Sequence, residues 1–117
     1  LRQNCAYLQA ENVTVIAGRA ETVLSELPVP DCIFIGGSNG AFPEILRQIQ
    51  QLPKSVRLVV SAVTLETQAE VTQLLQDAPQ LEIIPVFSGQ SRKVGRYHVL
   101  QPYHPVLLFA CTGGKSS

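Results

Sequence analysis

Methionine and tryptophan are both missing from this 117-residue chain. With no methionine and a start at Leu1, the sequence is expected to be a piece of a longer protein, cut or processed at its front. Nor is there a run of about eighteen apolar residues, so no membrane-spanning helix is expected. No basic-then-apolar leader opens the sequence, and a secretion signal is not expected either. Net charge is zero, which argues against a nucleic-acid backbone as the main partner. Metal binding lacks its ligands, because no cluster of His, Cys, Asp and Glu has ligand spacing. Cysteine is sparse and odd in number. Cys5, Cys32 and Cys111 are scattered, each inside an apolar pattern, and read as buried free thiols of a reducing, cytoplasmic compartment.

Acid is absent from the last third. Residues 1–82 hold all nine acids and five of the bases, while residues 83–117 hold Arg92, Lys93, Arg96, Lys115 and both histidines. A local basic segment suits a small, multiply anionic ligand, and a solvated basic loop fits it equally well. Apolar residues, by contrast, make up 45% of the chain, enough for a single domain over residues 1–117 with a real core.

The apolar spacing alternates between two periods. Leu1, Cys5 and Leu8 share a helical face, so residues 1–9 read as a helix. Residues 12–17 (NVTVIA) are a β-branched run ending at Gly18, and predict a strand. Ala20, Val23, Leu24 and Leu27 have helical spacing, closed by Pro28 and Pro30. Residues 31–35 (DCIFI) predict a strand, followed by a glycine loop. Pro43, Glu44 and the stripe of Ile45, Leu46 and Ile49 predict a helix that Pro53 ends. A strand over 56–62 comes next, then a helix capped by Thr67 with Glu70, or earlier by Thr64. Residues 81–87 predict a strand, 88–102 a polar basic loop and 104–111 a last strand, with 112–117 fraying. This alternation implies an α/β fold whose parallel sheet carries helices on both faces. The last two strands lack a helix between them and should run antiparallel.

In such sheets ligands bind beyond the carboxyl ends of the strands. Three loops stand there: Gly18-Arg19-Ala20, residues 36–40 and residues 61–66. Within residues 36–40, GGSNG fits the G-x-S-x-G pattern of a hydrolase nucleophile elbow. A base and an acid would have to follow Ser38. His98 and His104 satisfy the order formally, but Asp77 falls at a helix end and no HGGG-type oxyanion segment precedes Ser38. A dinucleotide loop fails because Ser38 takes the second glycine position. Gly114-Lys115-Ser116 mimics the end of a P-loop without its first glycine or its helix. What remains is a loop whose glycines admit a ligand to bare backbone, or more plainly a tight strand-to-helix turn.

The segments GRAET, LPVPDCIFIGGSNG, EIL and RLVVSAVTLET, in this order, resemble the cobalamin-pathway family of precorrin-6Y C5,15-methyltransferases (decarboxylating). More closely, they are similar to the C15-methylating, decarboxylating part of those enzymes. The resemblance covers most of residues 11–70 and the rest more loosely. PDxxFIGGS and AVTLET are rather specific to the family, whereas Gly-x-Ala after a strand is common to S-adenosylmethionine-dependent methyltransferases.

The resemblance implies a Rossmann-like class I methyltransferase sheet, N-terminally truncated, mostly parallel with an antiparallel last strand. It implies that Gly18, Arg19 and Ala20 lie beside the adenine of S-adenosylmethionine, and that Gly36 and Gly37 pass its methionine and sulfonium end. Ser38, Asn39 and Gly40, with Thr64, Leu65 and Glu66, would face the tetrapyrrole, and Arg92 and Arg96 would bind precorrin carboxylates. No nucleophile is implied, because holding donor and acceptor carbon in line does the work. Three departures stand out. The family's glycine-rich loop after its first strand, and its acid after the second, are absent, so this chain alone is expected to bind the cofactor poorly and not to catalyse. Arg19 stands where many methyltransferases carry Asp. Ser61 replaces an Asn usual in the family. Other readings are a methyltransferase of another small molecule and a non-catalytic α/β binding module. An exposed sheet edge would favour a homo-oligomer.

Overall fold

Where apolar residues run continuously the chain forms strands, and where they recur every three or four it forms helices. The computed structural model describes residues 1–37 and 40–115. In chain order the elements are α1 (Arg2–Tyr7), α2 (Ala20–Val23) with a 3-10 turn (Leu24–Glu26), β1 (Cys32–Ile35), α3 (Phe42–Gln50) and β2 (Ser55–Ala62). They continue with α4 (Leu65–Leu75), β3 (Glu82–Val86), β4 (Gly89–Val94), β5 (Tyr97–Pro102) and β6 (Val106–Gly114).

Four strands make one sheet in the order β1-β2-β6-β3. β1 and β2 pair in parallel, and β6 inserts antiparallel between β2 and β3. The sheet is therefore parallel but for its last strand, as expected. Alternate residues of β2 face one core: Val56, Leu58, Val60 and Ala62 are buried. Leu58 and Val60 pack with Cys111 and Phe109 of β6, under Phe42, Ile45, Leu46 and Ile49 of α3 and Val71 and Leu75 of α4. Pro43 sits in the first turn of α3, where its missing N–H leaves no bond unmade, with Glu44 beside it and Arg47 in the last turn.

Several expectations are corrected. Helices do not cover both faces: α3 and α4 lie on the same one. The cause is topological. Both crossovers, β1 to β2 and β2 to β3, travel the same way across the sheet, and right-handed crossovers in one direction deposit their helices on one face. The other face carries no helix among the described residues: there Phe34 is 65% and Ile84 43% exposed, while Val59 and Leu108 are half-buried. Cys32 shares that face and is exposed, Cys5 is half-buried, and Cys111 alone of the three is buried. Burial pushes the Cys111 thiol up from its ordinary value.

Residues 12–17 form no strand, since strand pattern without a neighbouring ladder does not make one. The basic loop is instead the β4–β5 hairpin, turned by Gly95-Arg96, with Gly95 at φ +60° as a type II′ turn requires. Nor does the start of the tail fray. Thr112–Gly114 pair with Ser55–Arg57, and Lys115 N–H donates to the Leu52 carbonyl at 3.0 Å. At Gly114 (φ +77°) an added Cβ would collide with the Lys54 carbonyl oxygen, so only glycine fits there. Among the described residues no helix is long and apolar enough to cross a membrane.

Candidate functional site

Parallel pairing sets Ile35 opposite Val60, so the loops after β1 and β2 leave the sheet side by side. β6 begins at the same end, with Leu107 opposite Ala62, and β3 finishes there with Val86 opposite Val106. The structure thus brings Gly36 and Gly37, Thr64–Glu66 and the root of the hairpin to one end of the sheet. Ser38 and Asn39 lie outside the described residues.

Each loop is pinned by a side chain that sequence reasoning did not assign to it. Ser61 Oγ donates to the Gly36 carbonyl at 3.3 Å, bridging the ends of β1 and β2. Gln68 Nε2 donates to the carbonyls of Ala62 (3.3 Å) and Val63 (3.2 Å) at the exit of β2. The available signals were modest: a hydroxyl interrupting an apolar strand, and a glutamine one helical turn past a capping threonine. The cap is Thr64, not Thr67. Its Oγ1 accepts from Thr67 N–H at 3.1 Å, satisfying one of the free amides of the first turn. That capping occupies the Thr64 hydroxyl and leaves Leu65 (79% exposed) and Glu66 facing solvent. Phe87, just past β3, is 75% exposed and adds a second apolar group at this end.

The glycines of this loop differ in what demands them. Gly40 has φ +87°, a left-handed backbone that side chains disfavour. Gly37 lies outside that region, and a Cβ added there would meet nothing within 4 Å among the described residues. The backbone calls for glycine at 40, whereas at 37 no described residue stands in the way of a side chain.

Gly18-Arg19-Ala20 leads into α2 and is tied elsewhere. Arg19 Nε pairs with Glu21 at 2.7 Å, and the Glu21 carbonyl accepts from Gln48 Nε2 of α3 at 2.8 Å. No hydrogen bond joins it to the Gly36 loop among the described residues. On the hairpin, Arg92 stands opposite Val99 on one face and Lys93 opposite His98 on the other. Arg96 occupies the turn, its Cζ 5.3 Å from the centre of the Tyr97 ring. The bases are thus divided over two faces and a turn. Glu44, in the turn of helix after Gly40, is held down at about 2 by hydrogen bonds from Arg47 and Gln48.

The acid that a hydrolase triad would need is not at this end of the sheet. Asp77 lines a cavity of about 650 Å³ at the opposite end of the sheet, beside Ser55 and Gly113. His98 belongs to the hairpin. Among the described residues no cluster of ligands suits a metal ion.

Residues 1–113 match a family model described as a precorrin methyltransferase domain. The "Probable cobalt-precorrin-6B C(15)-methyltransferase (decarboxylating)" of Pyrobaculum calidifontis is 32% identical over 101 residues, 85% of this chain and 51% of that protein. The crystal structure of a precorrin-6y C5,15-methyltransferase from Geobacter metallireducens superposes with a TM-score of 0.82 at 31% identity, covering 94% of this chain and 60% of its own. A Methanobacterium thermoautotrophicum structure, described as precorrin-8w decarboxylase, gives 0.80 at 28% identity, with 94% and 61% covered. The chain spans about half the length of such curated relatives.

Proposed function

From the premise that this chain belongs to the precorrin methyltransferase domain family, matched over residues 1–113, we propose that it is part of an S-adenosylmethionine-dependent enzyme. That enzyme methylates and decarboxylates a precorrin intermediate of cobalamin biosynthesis in the cytoplasm. The observation that carries the reading is Gly37, where an added Cβ would meet no described residue within 4 Å, at the end of the sheet where the strand-end loops converge. A ligand running along bare backbone accounts for it.

The residues fit such a ligand. S-adenosylmethionine, when bound, supplies an electrophilic methyl group. Gly36 and Gly37 pass its methionine end, with the Gly36 carbonyl held by Ser61, while Gly18, Arg19 and Ala20 serve the adenine through backbone, the Arg19 side chain being engaged by Glu21. On the substrate side, Gly40, Leu65 and Glu66 are assigned to the macrocycle, together with Ser38 and Asn39, which lie outside the described residues. Thr64 contributes by fixing the start of α4, its hydroxyl being used in the cap. Leu65 and Phe87 offer apolar surface to a flat ring, and Arg92 and Arg96 attract its carboxylates. Orientation of donor and acceptor does most of the catalysis, so no side chain is assigned as nucleophile.

The test is a methylation assay on the natural polypeptide with a precorrin substrate, following carbon dioxide release and cofactor affinity. Arg92→Ala with Arg96→Ala should weaken precorrin binding about tenfold or more, the scale of two partly exposed charge contacts, and leave cofactor affinity unchanged. Unchanged precorrin affinity would remove the hairpin from the substrate site. Absence of cofactor binding in the natural polypeptide would overturn the enzyme itself.

A further inference from the structure

The side chains that β6 turns toward the helices shrink along the strand. Phe109 is succeeded by Cys111 and Gly113, which stand opposite Leu58 and Val56 of β2. At that end α3 and α4 finish over the sheet and leave a cavity of about 650 Å³, a size usual for small-molecule sites. Leu46, Leu58, Leu75 and Cys111, all buried, give it an apolar floor. The rim is fixed by hydrogen bonds. Thr112 N–H donates to the Pro79 carbonyl at 3.0 Å, and Thr112 Oγ1 donates to Gln80 Oε1 at 3.1 Å. Gln80 is held there at φ +59°, a left-handed backbone that a residue with a side chain seldom adopts.

Charge at this cavity has one sign. Asp77 lines it, and no Lys, Arg or His does among the described residues. Burial pushes the Cys111 thiol up from its ordinary value, so the thiol stays neutral. Gln50 and Leu75, the last residues of α3 and α4, both line the cavity, which brings the negative ends of two helix dipoles to it. Neither end is neutralised from within its helix: α4 has no basic residue in its last turn, and Arg47 of α3 is engaged by Glu44.

We propose that this cavity is a binding site for a small organic cation, an ammonium carried on a ring or a short alkyl chain. The apolar body lies over the three leucines and the polarisable sulfur of Cys111, and the ammonium stays at the rim beside Asp77 and the helix ends. A precorrin, with its several carboxylates, is repelled by the same charges. The site is therefore separate from the end of the sheet where the glycine loop lies, and it rests on neither the cofactor nor the substrate assigned there.

Three probes of one shape test the charge preference: 2-phenylethylammonium, 2-phenylethanol and phenylacetate. Each is titrated into the natural polypeptide, and binding is read from the NMR shifts of the Leu46, Leu58 and Leu75 methyl groups. The ammonium should bind at least about fivefold more tightly than the alcohol, and phenylacetate more weakly than either. Asp77→Asn changes an exposed residue and should cut that preference at least about twofold with Tm unchanged. Cys111→Met fills the floor and should weaken the ammonium and the alcohol alike. Absence of methyl shifts at about 10 mM ammonium overturns the proposal, as do equal affinities for ammonium and carboxylate. A preference that Asp77→Asn leaves intact overturns it too. Methylation is not read in any arm, so failure here leaves the enzyme assignment standing.

Discussion

Gly37→Ala separates a glycine kept for a ligand from one kept for the fold. An alanine methyl at this position has no atom of the described residues within 4 Å, and the backbone lies outside the left-handed region. Folding should therefore tolerate it, and the narrower unfolded ensemble should stabilise the protein by about 0.4–1 kcal/mol. For a domain of this size that raises Tm by about 2–6 °C. If the backbone here lies against a bound ligand, the same methyl must be forced into packed space, which costs about 1–3 kcal/mol. Affinity would fall about 5- to 150-fold. The assay is thermal unfolding and calorimetric titration with S-adenosylmethionine, run on the same preparation of the natural polypeptide. Gly40→Ala provides the contrast: with φ at +87° it should lose about 1–2 kcal/mol of stability. A Gly37→Ala protein with raised Tm and unchanged affinity would refute the ligand passage. A fall of several degrees in Tm would refute the steric argument beneath it.

Removing the α4 cap with Thr64→Ala should lower stability in urea titration by about 0.5–2 kcal/mol, and Thr64→Ser should recover most of it. An unchanged midpoint would mean that Thr67 or water takes over the amide. Phe109→Ala empties a fully buried site between the sheet and its helices and should cost about 3–5 kcal/mol by the same method, a large part of a typical domain's stability. Glu44 has its folded pKa lowered from 4.5 to about 2 by Arg47 and Gln48, so its contribution is complete above about pH 4.5 and fades as pH falls toward 2. Glu44→Gln should flatten the dependence of stability on pH across that acid window, and an identical slope would show the ion pair to be inert.

Local chemistry was legible where a residue's role depends on its neighbours in sequence. Pro43, Glu44 and the stripe Ile45, Leu46, Ile49 sufficed for α3, and the missing helix between the last two strands was enough for an antiparallel β6. The hairpin was missed because its polar, basic composition was read as a loop, though Gly95-Arg96 between two runs of strand length carried the signal of a two-residue turn. The strand pattern of residues 12–17 misled for a different reason. Pattern states a capacity for pairing, and only a neighbour realises it. One-sided coverage was not legible at all, since it follows from the direction of successive crossovers, and strand order is a property of the assembled sheet.

The candidate site shows how that same division assigns roles within one loop. Three glycines fall within five residues, yet Gly40 answers to its own dihedral and Gly37 to no described neighbour. Thr64 makes the converse case. It stood among the residues facing substrate, but a helix beginning at the rim of the site must satisfy its first amides locally, and the nearest hydroxyl is used for that. Leu65 and Glu66, whose side chains have no such duty, are left exposed at the end of the sheet.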